Sequence, residues 1–408
     1  MNMKIPVIFS LVFLLFASFQ ADQTKSVTVP FLLDHNRMLV DAEMQKSDGT
    51  WRKVRLWVDS GNPAFIISES LARDLGIDLS AAQDTSFNGS YLEVPNPSGL
   101  RIGGMKLNLD SVKSRVAFRP FWLFSVMHND GNLPSTILKN YHIVFDYPKK
   151  ELTIAEPNSL EPRGIKSNAS IRHETGMVQL EAVIDGDSLS FALDNGASYS
   201  FISEDILHKY SNLHPDWPEI TGTLGCANMW GWWPANEENF PVVRIPEFKW
   251  GEVQLKGTGM VGVPEFSPGG PTLGEWYSRK TAQPVDGFIG ANVLKAYRVE
   301  IDYARQLVYF EMGKDNGPNE MELAGLSLRQ LPDSTWQVVG VVEINGKPSV
   351  EGVDKGDVVE SIDRLKTRGL TMGTVVDALR GKPGEIRVLS IVRDGKKMTV
   401  KAKVGHYL

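Results

Sequence analysis

Cysteine is nearly absent: the 408 residues contain one, Cys226, which excludes an internal disulfide framework and leaves no Cys/His cluster with zinc spacing. Histidine is sparse as well. The seven His are scattered, and His173-Glu174 has no second His at the helical spacing of a metal hydrolase, so neither a metal nor another cofactor is expected. No Gly-x-Ser-x-Gly elbow occurs, which removes the local signature of a serine hydrolase. Positive charge is not in excess either; a formal net charge of −6 offers nucleic acid no electrostatic foothold. What is there is ordinary in bulk: 42% hydrophobic residues suffice for normal cores, and the length suggests two or three domains.

The first 21 residues read as a signal peptide. Lys4 precedes an apolar run from Val7 to Phe19 that is short for a membrane span. Cleavage after Ala21 would leave Phe19 where a small residue is preferred, and an uncleaved leader would be an N-terminal membrane anchor. No Cys follows the run, so a lipoprotein is not indicated. In both cases the body is expected outside the cytoplasm, periplasmic or secreted.

Two stretches echo each other. In Leu189-Ser190-Phe191-Ala192-Leu193-Asp194-Asn195-Gly196, period-two alternation puts Leu189, Phe191 and Leu193 on one strand face and Asp194 on the other, where Gly196 permits a sharp turn. Val54-Arg55-Leu56-Trp57-Val58-Asp59-Ser60-Gly61 repeats the arrangement with Asp59. Each is followed by a candidate helix cap, Ser68 or Ser203, and a short helical segment, Glu69 to Leu75 or Glu204 to Tyr210. A second pair of blocks, Leu138 to Tyr147 and Leu294 to Tyr303, shares Leu, Lys, Tyr, Asp and Tyr at the same offsets. Matching order and content suggest an internal duplication.

With these flanks the chain resembles the retropepsin-like and pepsin-like aspartic proteases, whose half-site is an apolar strand ending in Asp-Ser/Thr-Gly, followed later by two apolar residues and Gly. Val58-Asp59-Ser60-Gly61 and Leu193-Asp194-Asn195-Gly196 with Phe288-Ile289-Gly290 carry that pattern, and the Leu-x-x-Tyr-x-Val-x-x-Asp-Tyr run after Gly290 looks like that of bacterial retropepsin-like proteins. The resemblance implies a mainly β chain: a first lobe over residues 22–158, a second over 165–313, and a Pro-rich linker from Glu156 to Gly164 between them. It implies an endopeptidase in which Asp59 and Asp194 activate water between them, supported by Ser60, Gly61, Asn195, Gly196 and Gly290. One chain would suffice for the pair, so a monomer acting on a peptide or protein substrate is expected. Two departures stand out: Asn195 replaces a hydroxyl residue, and Leu133-Pro134 stands where the second lobe has Ile289-Gly290, a place where Pro is not expected to supply the freedom of Gly. A non-cutting two-lobed protein that holds peptides is the alternative.

The second lobe carries two extra loops, Cys226 to Pro234 and Pro264 to Trp276. Trp230, Trp232 and Trp233 in the first either pack on the lobe or cover substrate, since the family carries its flap there. Residues 320–405 resemble a PDZ domain of α+β type. Gly356-Asp357-Val358-Val359 leads into a strand, Gly373 to Leu379 reads as a helix, and Asp394-Gly395 marks a hairpin between Ile386–Val392 and Met398–Val404. The carboxylate-binding loop would fall at Leu328-Arg329-Gln330-Leu331-Pro332, a loose match. This unit is expected to fold independently and to bind an extended peptide or C-terminus.

Overall fold

A computed structural model describes residues 25–80, 83–84, 91–110, 112–117, 129–222, 240–264, 272–313 and 322–407. The expected leader, Cys226, the three loop tryptophans and the connection at 314–321 lie outside the described residues. Among the described residues no helix is long and apolar enough to cross a membrane. The chain is mainly β, arranged in several sheets.

The two halves meet in a shared ribbon ordered Ile165–Asn168, Leu307–Met312, Tyr297–Asp302, His142–Asp146, Glu151–Ala155 and Ser26–Asp34. Its centre joins the two matching blocks: His142–Asp146 pairs antiparallel with Tyr297–Asp302, and Val144 lies opposite Glu300, its counterpart in the other block. Ile143, Phe145, Val299 and Ile301 alternate onto one apolar face. The other face buries His142 and Glu300, 2.6 Å apart, and Arg298 also bonds Glu300. Burial alone would raise the Glu300 pKa, but His142 and Arg298 outweigh it and hold the carboxyl below its ordinary range.

Each half presents its Asp on the same local frame. Trp51–Asp59 runs parallel to Gly131–Pro134, and Asp187–Leu193 runs parallel to Gly287–Ile289. Those partners pair antiparallel with Phe65–Ser68 and Ser200–Ser203. One hydrogen-bond pattern occurs twice. The Asp130 carboxylate accepts from Arg55 N at 2.9 Å and its carbonyl from Ser68 N at 2.8 Å; Asp286 does the same with Ser190 N at 2.7 Å and Ser203 N at 2.9 Å.

Helices Glu69–Leu75 and Glu204–Leu213 follow, as expected. Ser68 caps the first, its Oγ accepting from Leu71 N at 3.1 Å. Ser203 makes no such bond; Glu204 and Asp205 in the first turn supply the negative charge that this helix end favours.

Residues 322–407 build their own sheet, ordered Glu322–Ala324, Lys396–His406, Ile386–Arg393, Val358–Ile362, Trp336–Val341 and Leu326–Gln330, with helix Met372–Leu379. Asp394 and Gly395 form the two-residue turn, with φ of +49° and +75° and Arg393 opposite Lys396. Leu328 to Gln330, expected in a loop, belong instead to the edge strand, because Leu326 and Leu328 alternate into the core.

This C-terminal unit is seated on both halves. Glu343 N donates to Thr221 O at 3.1 Å, and Ser327 Oγ donates to Gly222 O at 3.2 Å. A Cβ on Gly222 would lie 1.9 Å from Val341 O. On the first half, Gly373 N donates to Asp34 Oδ1 at 2.9 Å. One buried apolar cluster contains Phe201, Val261 and Phe288 of the second half together with Leu326, Val338 and Val342 of the C-terminal unit. More than a short connection therefore holds the unit in place.

Candidate active site

Val54, Leu56 and Val58 anchor one Asp strand in the core, and Phe191 and Leu193 anchor the other. Asp59 and Asp194 emerge at the ends, 3% and 8% exposed, so both are nearly withdrawn from water. Each carboxyl lies against the opposite turn. A Cβ on Gly61 would sit 2.3 Å from Asp194 Cγ, and one on Gly196 would sit 2.5 Å from Asp59 Oδ1. Neither glycine is among those with positive φ, so the expected reason for them is corrected: these positions need space for the facing carboxyl, and conformational freedom is not what they use.

Beneath the carboxyls the turns grip one another. Ser60 N donates to Asn195 Oδ1 at 2.8 Å, while Asn195 N donates to Ser60 Oγ at 3.1 Å, and that hydroxyl donates on to Leu193 O at 3.1 Å. Asn195 thus supplies the acceptor that a hydroxyl would supply. Its Nδ2 is buried and without a hydrogen-bond partner, so the replacement keeps one bond of the grip and lacks the other.

The two carboxyls stand in different surroundings. Asp194 Oδ1 accepts from Gly196 N at 2.9 Å and Ala197 N at 3.1 Å. Burial raises its pKa, the amides of Gly196, Ala197 and Gly61 and the charge of Arg37 pull back, and the balance leaves it pushed up to about 6. Asp59 is raised well above the ordinary value by burial and then by the Asp194 charge, against weaker pulls from Asn62, Asn132 and Gly61 N. Two carboxyls this close cannot both ionise freely, so the pair shares a proton over a range of pH in which isolated carboxyls would both be charged.

Around the pair, Tyr277 and Tyr147 are held neutral, their phenols raised by burial first and by the nearby carboxylates second. Burial and then the charge of Arg115 lower the Lys280 ammonium, Asp59 opposes them, and the balance leaves it at about 8. Gly290 does not reach the pair. A Cβ there would strike Tyr199 C at 2.5 Å, and its N–H donates to Ser200 Oγ at 3.0 Å, so it supports the segment after the second turn. Pro134 occupies the matching place in the first half with φ −83°, close to the −94° of Gly290, which corrects the expectation that Pro there lacks a needed freedom.

Arg37, Asn62, Asn132, Tyr277 and Lys280 were not foreseeable from local sequence. One signal was available: Asp130-Gly131-Asn132-Leu133 matches Asp286-Gly287-Phe288-Ile289, and its Asp is the residue that ties each frame together. Among the described residues no group of three or more His, Cys, Asp or Glu could hold a metal ion. No family model matches this chain, and no curated protein matches it. Among solved structures, an aspartic proteinase from Irpex lacteus aligns with 71% of this chain and 98% of its own, at 13% identity and a TM-score of 0.40.

Proposed function

We propose that this protein is an aspartic-type endopeptidase whose two half-sites, duplicated within one chain, bring Asp59 and Asp194 together. The observation that carries the reading is the reciprocal seating of Gly61 against Asp194 and Gly196 against Asp59. Ionised Asp194 takes a proton from water held between the carboxyls as the water oxygen bonds to the peptide carbon, and protonated Asp59 gives its proton to the carbonyl oxygen. The tetrahedral diol then collapses: the C–N bond breaks, the proton on Asp194 passes to the departing nitrogen, and a diol hydroxyl returns a proton to Asp59. The pair ends as it began.

The C-terminal unit is read as a PDZ-like module that takes an extended peptide, and the body is read as extracytoplasmic. The test of the core claim is cleavage of a peptide library by the wild type beside Asp59→Asn and Asp194→Asn. Each substitution is expected to remove at least ~10²-fold of the activity, because members of such a unit fail together. Cleavage retained by either variant would sink the pair. A folded wild type that binds peptides without cutting would establish the non-cutting alternative instead.

A further inference from the structure

The turn between strands Ser26–Asp34 and Arg37–Gln45 is unusual for its residues. His35 and Asn36 both adopt positive φ, +48° and +66°, in a two-residue hairpin that closes Asp34 on Arg37. Such a turn ordinarily favours Gly at its second position. Here both side chains are buried and in use: Asn36 Nδ2 donates to Ser198 O at 3.2 Å, four residues beyond Asp194, and the His35 ring lies 5.6 Å from that of Tyr199. Arg37 is 1% exposed, and the field of its guanidinium reaches Asp194. The C-terminal helix braces the same hairpin from the other side. Gly373 N donates to Asp34 Oδ1, and a Cβ on Gly373 would lie 2.7 Å from His35 N.

Resting on the protease reading above, we propose that the hairpin Asp34–Arg37, braced by the C-terminal unit, is a positioning element of the dyad that fixes the segment following Asp194 through the bond from Asn36 to Ser198. Local strain in the turn is accepted because Asn36 must reach Ser198 and Arg37 must face inward. Among the described residues, the other titratable groups whose charge bears on Asp194 are Asp59, Tyr147 and Tyr277, with Lys280 toward Asp59; Asp34 and His35 belong to the same hairpin as Arg37. The tyrosines stay neutral and Lys280 titrates on the alkaline side, so the acid limb of activity reports the first ionisation of the pair.

Removing a cation beside a carboxylate raises its pKa, so Arg37→Met is expected to move the acid limb of kcat/KM to higher pH by about one unit, and Arg37→Lys to recover most of that shift. Asn36→Gly suits the turn better and keeps or raises Tm, yet loses the clamp on Ser198; it is expected to shift the acid limb the same way by a smaller amount. Gly373→Val, which presses on His35 from the C-terminal unit, should do likewise. A merely structural hairpin would leave the limb of Asn36→Gly unmoved. An unshifted limb in Asn36→Gly overturns the proposal, whatever Arg37→Met does. Titration of 13C-labelled aspartate carboxyls in the same variants reads Asp194 directly. If the wild type does not cut, the protease reading fails while that titration still decides whether the hairpin acts on the pair.

Discussion

At the scale of single residues the site is held by small differences in what surrounds two chemically equal carboxyls. Asn195 keeps the acceptor for Ser60 N but buries an unsatisfied Nδ2. Asn195→Thr restores a hydroxyl that accepts from Ser60 N and can donate across the grip, and should raise stability by about 1 kcal/mol while keeping cleavage; a lower Tm would show that the amide has a partner role of its own. The dyad also carries a pH-dependent cost. A carboxyl whose folded pKa is raised binds more protons folded than unfolded, so its contribution falls as pH rises from the ordinary Asp value toward about 6 for Asp194. Asp194→Asn should therefore be inactive yet more stable than the wild type at pH 7, with the gap closing near pH 4, as followed by thermal unfolding across pH.

At the scale of elements, the ribbon between the halves and the hairpin over the second turn do different work. The ribbon hides a charged group in a face that strand alternation would otherwise fill with apolar side chains. His142 and Arg298 both bond Glu300, so Glu300→Gln leaves the partly buried Arg298 short of its counter-charge and is expected to cost roughly 3 kcal/mol. Denaturant unfolding measures it, and a loss below ~1 kcal/mol would mean the pair is replaceable. The sign here opposes that of the dyad. Glu300 is depressed in the folded state, so its stabilisation is present above the ordinary Glu pKa and is lost as pH falls through the lowered value.

At the scale of the whole molecule, the C-terminal unit is the surprise. The sequence reads residues 320–405 as a unit that folds independently. The cluster that joins Phe201, Val261 and Phe288 to Leu326, Val338 and Val342 argues otherwise. A chain ending at Gly313 would expose that apolar face to water, and is expected to unfold at lower temperature than the full chain and to bind a hydrophobic dye; equal Tm values would restore the separable picture. What the sequence determined by itself was local. Alternating strands ending in Asp-x-Gly, Ser68 as a cap and Asp394-Gly395 as a hairpin are written in neighbouring residues, because strand period and turn geometry act over a few positions. The matching blocks around Asp146 and Asp302 were legible for the same reason, as strings at a common offset. Only the tertiary structure decided that Gly61 faces Asp194, that Asn36 reaches Ser198, and that Gly373 braces Asp34. Those contacts join distant segments whose meeting depends on how the sheets pack, and no run of adjacent residues encodes the field at a buried carboxyl.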